Sequence, residues 1–300
     1  MLTSGSRFRM YSPFVDGEVD PRDEELVASA QRGDRQALED LVVRHQPWIY
    51  NIAVRMLLWT DAAEDATQDI LIKMITGLAA FRRQSKFRTW LYRIAVNHIL
   101  NLKKKWVVAE APYTYDYFAR DLDETPDPDL PDPRTVSMPV ELLVEEAKIG
   151  CMTAMLLCLD GRQRLAFTLG EIFGVTDKVG AEVMGTTPAN FRQILSRARQ
   201  DLYSFMNGKC GLIDEKNSCH CPRKTRGFLE RGYLNPAKLQ FAVGYRQKVR
   251  EVVPNRMAEL RTARERLCAE LYQEHPFRDV PAQAEMVRRV LASVPLEPPG

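Results

Sequence analysis

The stretch from Asp61 to Trp106 constrains the fold of this chain more than any other. It reads DAAEDATQDILIKMITGLAAFRRQSKFRTWLYRIAVNHILNLKKKW. Ala66, Ile70, Met74 and Leu78 fall on one face, widened by Leu71 and Ile75, which predicts an amphipathic helix. Asp61 and Glu64 have capping-box spacing and place its start. Asp65, Gln68 and Asp69 lie side by side on a second face. The helix thus has one face to bury and an acidic face to offer. Ser85 is placed to cap a second helix with the stripe Phe87, Leu91, Ile94, Ala95 and Leu102. Around that stripe stand Arg88, Trp90, Tyr92, Arg93, Asn97 and Asn101, and the helix ends in Lys103, Lys104 and Lys105. Rings stack on unpaired bases for about 1–3 kcal/mol each, while cations follow the phosphates. The same residues also describe a buried aromatic helix with a solvated basic end.

A chain of 300 residues can hold two modest domains. No run of about 18 apolar residues occurs, so no membrane span is expected. The first residues, MLTSGSRFRMYSPF, lack an apolar core and a cleavage signal. A cytoplasmic location follows as the expectation, and with it free or metal-bound states for the 6 cysteines. The net charge of +2 says little about partners, but the charges segregate along the chain.

Residues 1–20 read as a disordered tail. A short helix is predicted from Asp23 to Arg32, broken at Gly33. Asp34 then caps a helix carrying Leu38, Leu41, Val42, His45, Ile49, Ile52, Ala53 and Met56 on one face. Pro47 should kink it. His45 sits on the apolar face with no partner cluster near it in sequence, so a buried, hydrogen-bonded histidine is expected. Residues 108–139 mix Asp116, Asp121, Asp123, Glu124, Asp127, Asp129 and Asp132 with Pro126, Pro128, Pro131 and Pro133, and read as a flexible acidic linker.

Helix returns near Val140, and GVTDKVGAEVMGTTPANFRQILSRARQDLYSFM has helix-turn-helix form. Asp177–Met184 is the first helix, Gly185 the turn and Thr187 the cap of the second, with Pro188 at its first position. The second helix buries Phe191, Leu195, Ala198 and Leu202 and exposes Asn190, Arg192, Gln193, Ser196, Arg197 and Arg199. Such a helix reads base edges in the major groove, where an arginine–guanine pair discriminates by about 1–3 kcal/mol. Cys151 and Cys158, on an apolar helix, read as core.

From residue 207 the chain continues NGKCGLIDEKNSCHCPRKTRG. Cys210, Cys219 and Cys221 are close enough in sequence for one metal, and zinc suits thiolates in a closed tetrahedral site. His220, Cys268 or His275 could supply the fourth ligand. Reduced surface cysteines are the plain alternative. Asn235-Pro236 should start another helix. Met257, Leu260, Leu267 and Leu271 form one further apolar stripe, and Met286, Val287, Val290 and Leu291 another.

In order, the acidic helix face followed by SKFRTWLYRIAVNHILNLKKK resembles region 2 of bacterial sigma factors of the extracytoplasmic-function (ECF) type, without gaps from about Asp34 to Lys105. LDGRQRLAF (159–167) with the helix pair after it is similar to region 4 of the same family. The resemblance implies that Asp65, Gln68 and Asp69 contact core RNA polymerase. It places Ser85, Lys86, Phe87, Arg88, Trp90, Arg93, Asn97, Asn101, Lys103 and Lys104 at the −10 element, on the melted non-template strand or just upstream. The exposed residues of the second helix-turn-helix helix would lie on the double-stranded −35 element. It also implies a linker that threads through polymerase channels and an anti-sigma factor as a partner. Val96, Asn101, Asp160 and Gly180 depart from the family pattern.

The expected fold is all-α. Region 2 spans residues 21–107 and region 4 spans 140–206, with the acidic linker between them and a helical C-terminal extension over 207–300. No catalytic constellation occurs, so no enzyme is expected. A helix-turn-helix regulator acting without polymerase is the alternative, but it needs no strand-melting helix. A zinc hydrolase or deaminase on the C-terminal cysteines would need an H-x-E general acid/base that is missing beside them.

Overall fold

The computed structural model describes residues 21–57, 59–107, 113–127, 139–239, 263–274, 280 and 283–293, with the backbone alone for helix residues 103–107, 274 and 283–284. The expected tail at 1–20, the linker prolines Pro128, Pro131 and Pro133, and Met257, Leu260 and His275 lie outside these residues. So do the side chains of Lys103 and Lys104.

Four helices form the first unit: α1 (Pro21–Gln31), α2 (Arg35–Leu57), α3 (Thr60–Leu78) and α4 (Phe87–Val107). The Asp34 carboxylate accepts from the Gln36 and Ala37 backbones and so caps α2, as its position predicts. α2 runs on through Pro47. His45 is buried, 3.2 Å from Asp23 and 3.4 Å from the Tyr92 hydroxyl. It is the core histidine expected from its place on the apolar face.

Two caps differ from expectation. α3 begins one residue before Asp61, with Trp59 at the cap and no side-chain cap bond, so Asp61 lies inside the helix. α4 begins at Phe87, where the Lys86 carbonyl accepts from the Trp90 backbone, so Lys86 rather than Ser85 holds the cap position.

The predicted flexible linker contains a helix, α5 (Tyr115–Glu124), capped by Thr114. Phe118 and Leu122, four apart, bury its inner side. Tyr115 and Phe118 both stack near Phe205, at 4.9 and 5.7 Å between centroids.

The second unit holds α6 (Val140–Leu157), α7 (Gly161–Phe167) with a π-helical turn at Thr168–Ile172, α8 (Asp177–Met184) and α9 (Pro188–Lys209). The departure at Asp160 has a local reason: it caps α7 in a full capping box with Gln163. Thr187 caps α9 and Pro188 opens it, as predicted, and Gly185 makes the turn at a φ of 62°.

The extension contributes α10 (Cys221–Glu230), α11 (Ala263–Glu274) and α12 (Gln283–Ala292). Asn235 to Lys238 form a turn rather than the start of a helix. α11 lies on the second unit, where the Tyr272 hydroxyl donates to the Met152 carbonyl at 3.0 Å. α12 lies on α2 and α3 and buries Met286, Val287, Val290 and Leu291. Among the described residues there is no strand, only a bridge pairing Cys210 with Cys219. None of these helices is long and apolar enough to cross a membrane.

Both units share one continuous apolar core. Trp48 of α2 meets Phe173 edge-on at 5.2 Å, and Arg55 lies over the same ring at 5.3 Å.

Candidate nucleic-acid interface

α4 presents its residues in three environments. Phe87 belongs to the core, packed among His45, Phe81 and Trp90. Its expected place on the melted strand would take it out of this packing. A benzyl group at the first helical position completes the joint between α2 and α4, so stacking on a base would cost that packing. Arg88 is also buried, with its guanidinium turned toward Glu182 of α8. Trp90 is half-buried against Gly77 of α3, where an added β carbon would stand 3.1 Å from the ring. Arg93, Asn97 and Asn101 are exposed, and Ser85 and Lys86 half-exposed, at the turn before the helix.

On α3, Asp65 and Asp69 are exposed and Gln68 half-exposed, so the predicted acidic face is open. Asp69 stands 3.5 Å from the His98 imidazole of α4, and Lys73 reaches the other nitrogen of that ring. This face therefore carries cationic and imidazole groups that the spacing of its acids did not disclose.

On α9, Asn190, Arg192, Gln193, Ser196 and Arg197 form an exposed row, while Phe191, Leu195, Ala198 and Leu202 are buried behind it. Arg192 pairs with Asp177 at the start of α8. Arg199 is placed differently from the rest of the row. It is half-buried and held by Glu171, itself 3% exposed, in the π turn. Gly180 explains itself here: a β carbon would come within 2.4 Å of the Phe191 ring, so the missing side chain lets α8 close on α9.

Cys210, Cys219 and Cys221 are all half-buried free thiols at the start of the extension. The Gly211 backbone donates to the Cys219 carbonyl at 2.9 Å, which brings the two ends of the loop together. Cys151 of α6 lies within electrostatic reach of all three. It was expected to be core, and only the packing of α10 on α6 brings it near the loop. Burial pushes Cys219 up to about 11 and Cys221 up to about 12, with the neighbouring thiols adding to the shift. Thiol chemistry suits zinc, but among the described residues no group of three or more such side chains stands arranged to hold a metal ion. The nearby basic residues point elsewhere. Lys224, Arg226 and Arg231 bond to α5, the loop that follows it, or Glu230.

Residues 32–106, which hold α2, α3 and α4, match the Sigma-70 region 2 family. The chain is 31% identical over 182 residues to the RNA polymerase sigma-H factor of Pseudomonas aeruginosa, covering 60% of this chain and 91% of that one. The chain belongs to the ECF sigma factor family. It is also 31% identical over 180 residues to the ECF RNA polymerase sigma-E factor of Escherichia coli K12, covering 91% of that protein. Among solved structures, CnrH in complex with the cytosolic domain of CnrY aligns at 23% identity with a TM-score of 0.44, over 62% of this chain and 97% of that one. As an ECF sigma factor, the protein binds RNA polymerase and directs promoter-specific initiation of transcription. No enzyme family is indicated for it.

Proposed function

We propose that this ECF sigma factor divides its work among three helix faces. The acidic face of α3, with Asp65, Gln68 and Asp69, docks on core polymerase. The exposed edge of α4 and the turn before it engage the −10 element: Arg93, Asn97 and Asn101 lie along the backbone, and Trp90 waits at the edge of the stack for an unpaired base. Lys103 and Lys104 continue the basic end of the helix. On α9, Asn190, Arg192, Gln193, Ser196 and Arg197 read the −35 element. The observation that carries this reading is the α9 row: five exposed polar and cationic side chains on a helix whose opposite face is buried throughout. The protein itself catalyses nothing, works in the cytoplasm, and is held in reserve by an anti-sigma factor.

Base stacking by Trp90 gives the test of the −10 assignment. Trp90→Ala should lower open-complex formation severalfold while closed-complex binding stays near the wild-type level, because stacking contributes only once the strands part. Equal losses at both stages would refute the role.

A metal in the extension is a second, separate proposal, favoured by the nearness of Cys151 to the loop thiols. The ligands would be Cys210, Cys219 and Cys221, with Cys151 as the fourth. As they stand, these side chains do not form a group that could hold a metal ion, so binding would require them to rearrange.

A further inference from the structure

α4 and α8 lie against one another, and the contact is polar at its centre. The Glu182 carboxylate of α8 accepts from the Thr89 hydroxyl at 3.2 Å and stands 3.9 Å from the Arg88 guanidinium. The Glu182 backbone carbonyl accepts from Arg93 Nε at 2.9 Å. Arg88 and Thr89 are left only 7% and 5% exposed. One acidic residue thus engages three neighbouring groups at the start of the −10 helix. A carboxylate taking a guanidinium and a hydroxyl offers them what a DNA phosphate would.

The linker is held as well. Buried Lys224 of α10 donates to the Leu122 and Thr125 carbonyls, each at 2.8 Å, at the C-terminal end of α5. Arg231 pairs with Asp121 at 2.7 Å, and the Tyr233 hydroxyl donates to the same carboxylate at 2.9 Å. Lys209 pairs with Asp123. The basic stretch beside the cysteines therefore grips the acidic linker helix.

The rest of the extension touches both units. The Gln273 amide of α11 donates to the Glu171 carbonyl of the second unit at 3.0 Å. In α12, Met286 receives the Gln46 amide of α2 at 3.0 Å.

We propose that this sigma factor inhibits itself. Glu182 occupies the nucleic-acid face of α4, and the C-terminal extension straps both units and the linker helix in that closed arrangement. The inference rests on the assignment of α4 to the −10 element and α9 to the −35 element. Those elements lie about 85 Å apart on B-form DNA, at 3.4 Å per base pair. With α4 packed against α8, the neighbour of α9, α4 and α9 cannot reach both. Opening must then precede promoter engagement, and the apparent affinity for polymerase and promoter is lowered by the open fraction.

The test uses the full chain. Glu182→Lys sets a cation among Arg88 and Arg93, Glu182→Gln removes only the charge, and Arg231→Asp breaks the linker grip from the other side. Small-angle scattering should show a larger radius of gyration for Glu182→Lys and Arg231→Asp than for wild type. In run-off transcription with core polymerase, the sigma concentration giving half-maximal product should fall about tenfold for Glu182→Lys and about threefold for Glu182→Gln, as the open fraction rises. Unchanged dimensions in both charge-reversal variants would overturn the proposal. So would expansion with no fall in the half-maximal concentration. If neither wild type nor the opened variants yield a promoter-specific transcript, the helix assignments fail instead, and the scattering comparison still decides whether the chain is closed.

Discussion

Arg164 donates to the Met56 carbonyl at 2.8 Å, joining the end of α2 to α7 across the joint between the two units. The same guanidinium donates to the Leu156, Leu157 and Leu159 carbonyls at 2.7, 2.6 and 3.1 Å. The arginine is buried, so these carbonyls have no water to replace it. Arg164→Ala should cost at least about 3 kcal/mol in urea unfolding, since several buried acceptors lose their donor at once. A loss below about 1 kcal/mol would mean that the joint opens to solvent.

Gly180 makes a prediction opposite to its helix propensity. Alanine is the better helix former by about 1 kcal/mol. Its methyl group would meet the Phe191 ring at 2.4 Å, so Gly180→Ala should destabilise by about 1–3 kcal/mol. Phe191→Leu in the same chain should recover part of that loss in thermal melts.

The two arginines of the −35 helix separate by what holds them. Arg192 is exposed and pairs with Asp177 at the surface, so Arg192→Ala should leave stability within about 0.5 kcal/mol and relax preference at one promoter position. Arg199→Ala strands the buried carboxylate of Glu171 and should lower stability by about 1–3 kcal/mol. A promoter library and a melt on each variant check both. Matching profiles for the two variants would contradict the distinction.

The helix-turn-helix was legible in the sequence because its signals are local: the Thr187 cap, Gly185 at the turn and Pro188 at the start. The acidic face of α3 was legible for the same reason. α5 was not, because the crowd of acids and prolines around it outweighed the Thr114 cap and the Phe118–Leu122 pair. The roles of Phe87, Arg88 and Arg199 depend on partners in other helices: His45, Glu182 and Glu171. Cys151 likewise meets the C-terminal thiols only through the packing of α10 on α6. Spacing along the chain carries none of these contacts.

The thiols give a pH dependence. In the folded chain Cys219 is pushed up to about 11 and Cys221 up to about 12, against an ordinary value of 9.0, with burial as the first cause. Below pH 9 both states hold these protons and stability is unaffected. Above it the unfolded chain releases them first, so stability should fall as pH rises from 9 toward 11. Cys219→Ser and Cys221→Ser together should flatten that fall in thermal melts. If zinc binds, added metal should remove the alkaline loss and raise the melting temperature at pH 8. Cys151→Ser should weaken that response as much as any loop cysteine.

Transcription from a purified system tests the central claim. Wild type with core RNA polymerase should give a promoter-dependent run-off product. Asp65→Lys with Asp69→Lys should raise the sigma concentration needed for half-maximal product at least about tenfold, matching a loss of about 1.4 kcal/mol or more in polymerase binding. Its circular dichroism and melting temperature should remain those of wild type, because both side chains are exposed. Unchanged run-off and unchanged co-purification with core by the double variant would contradict the account.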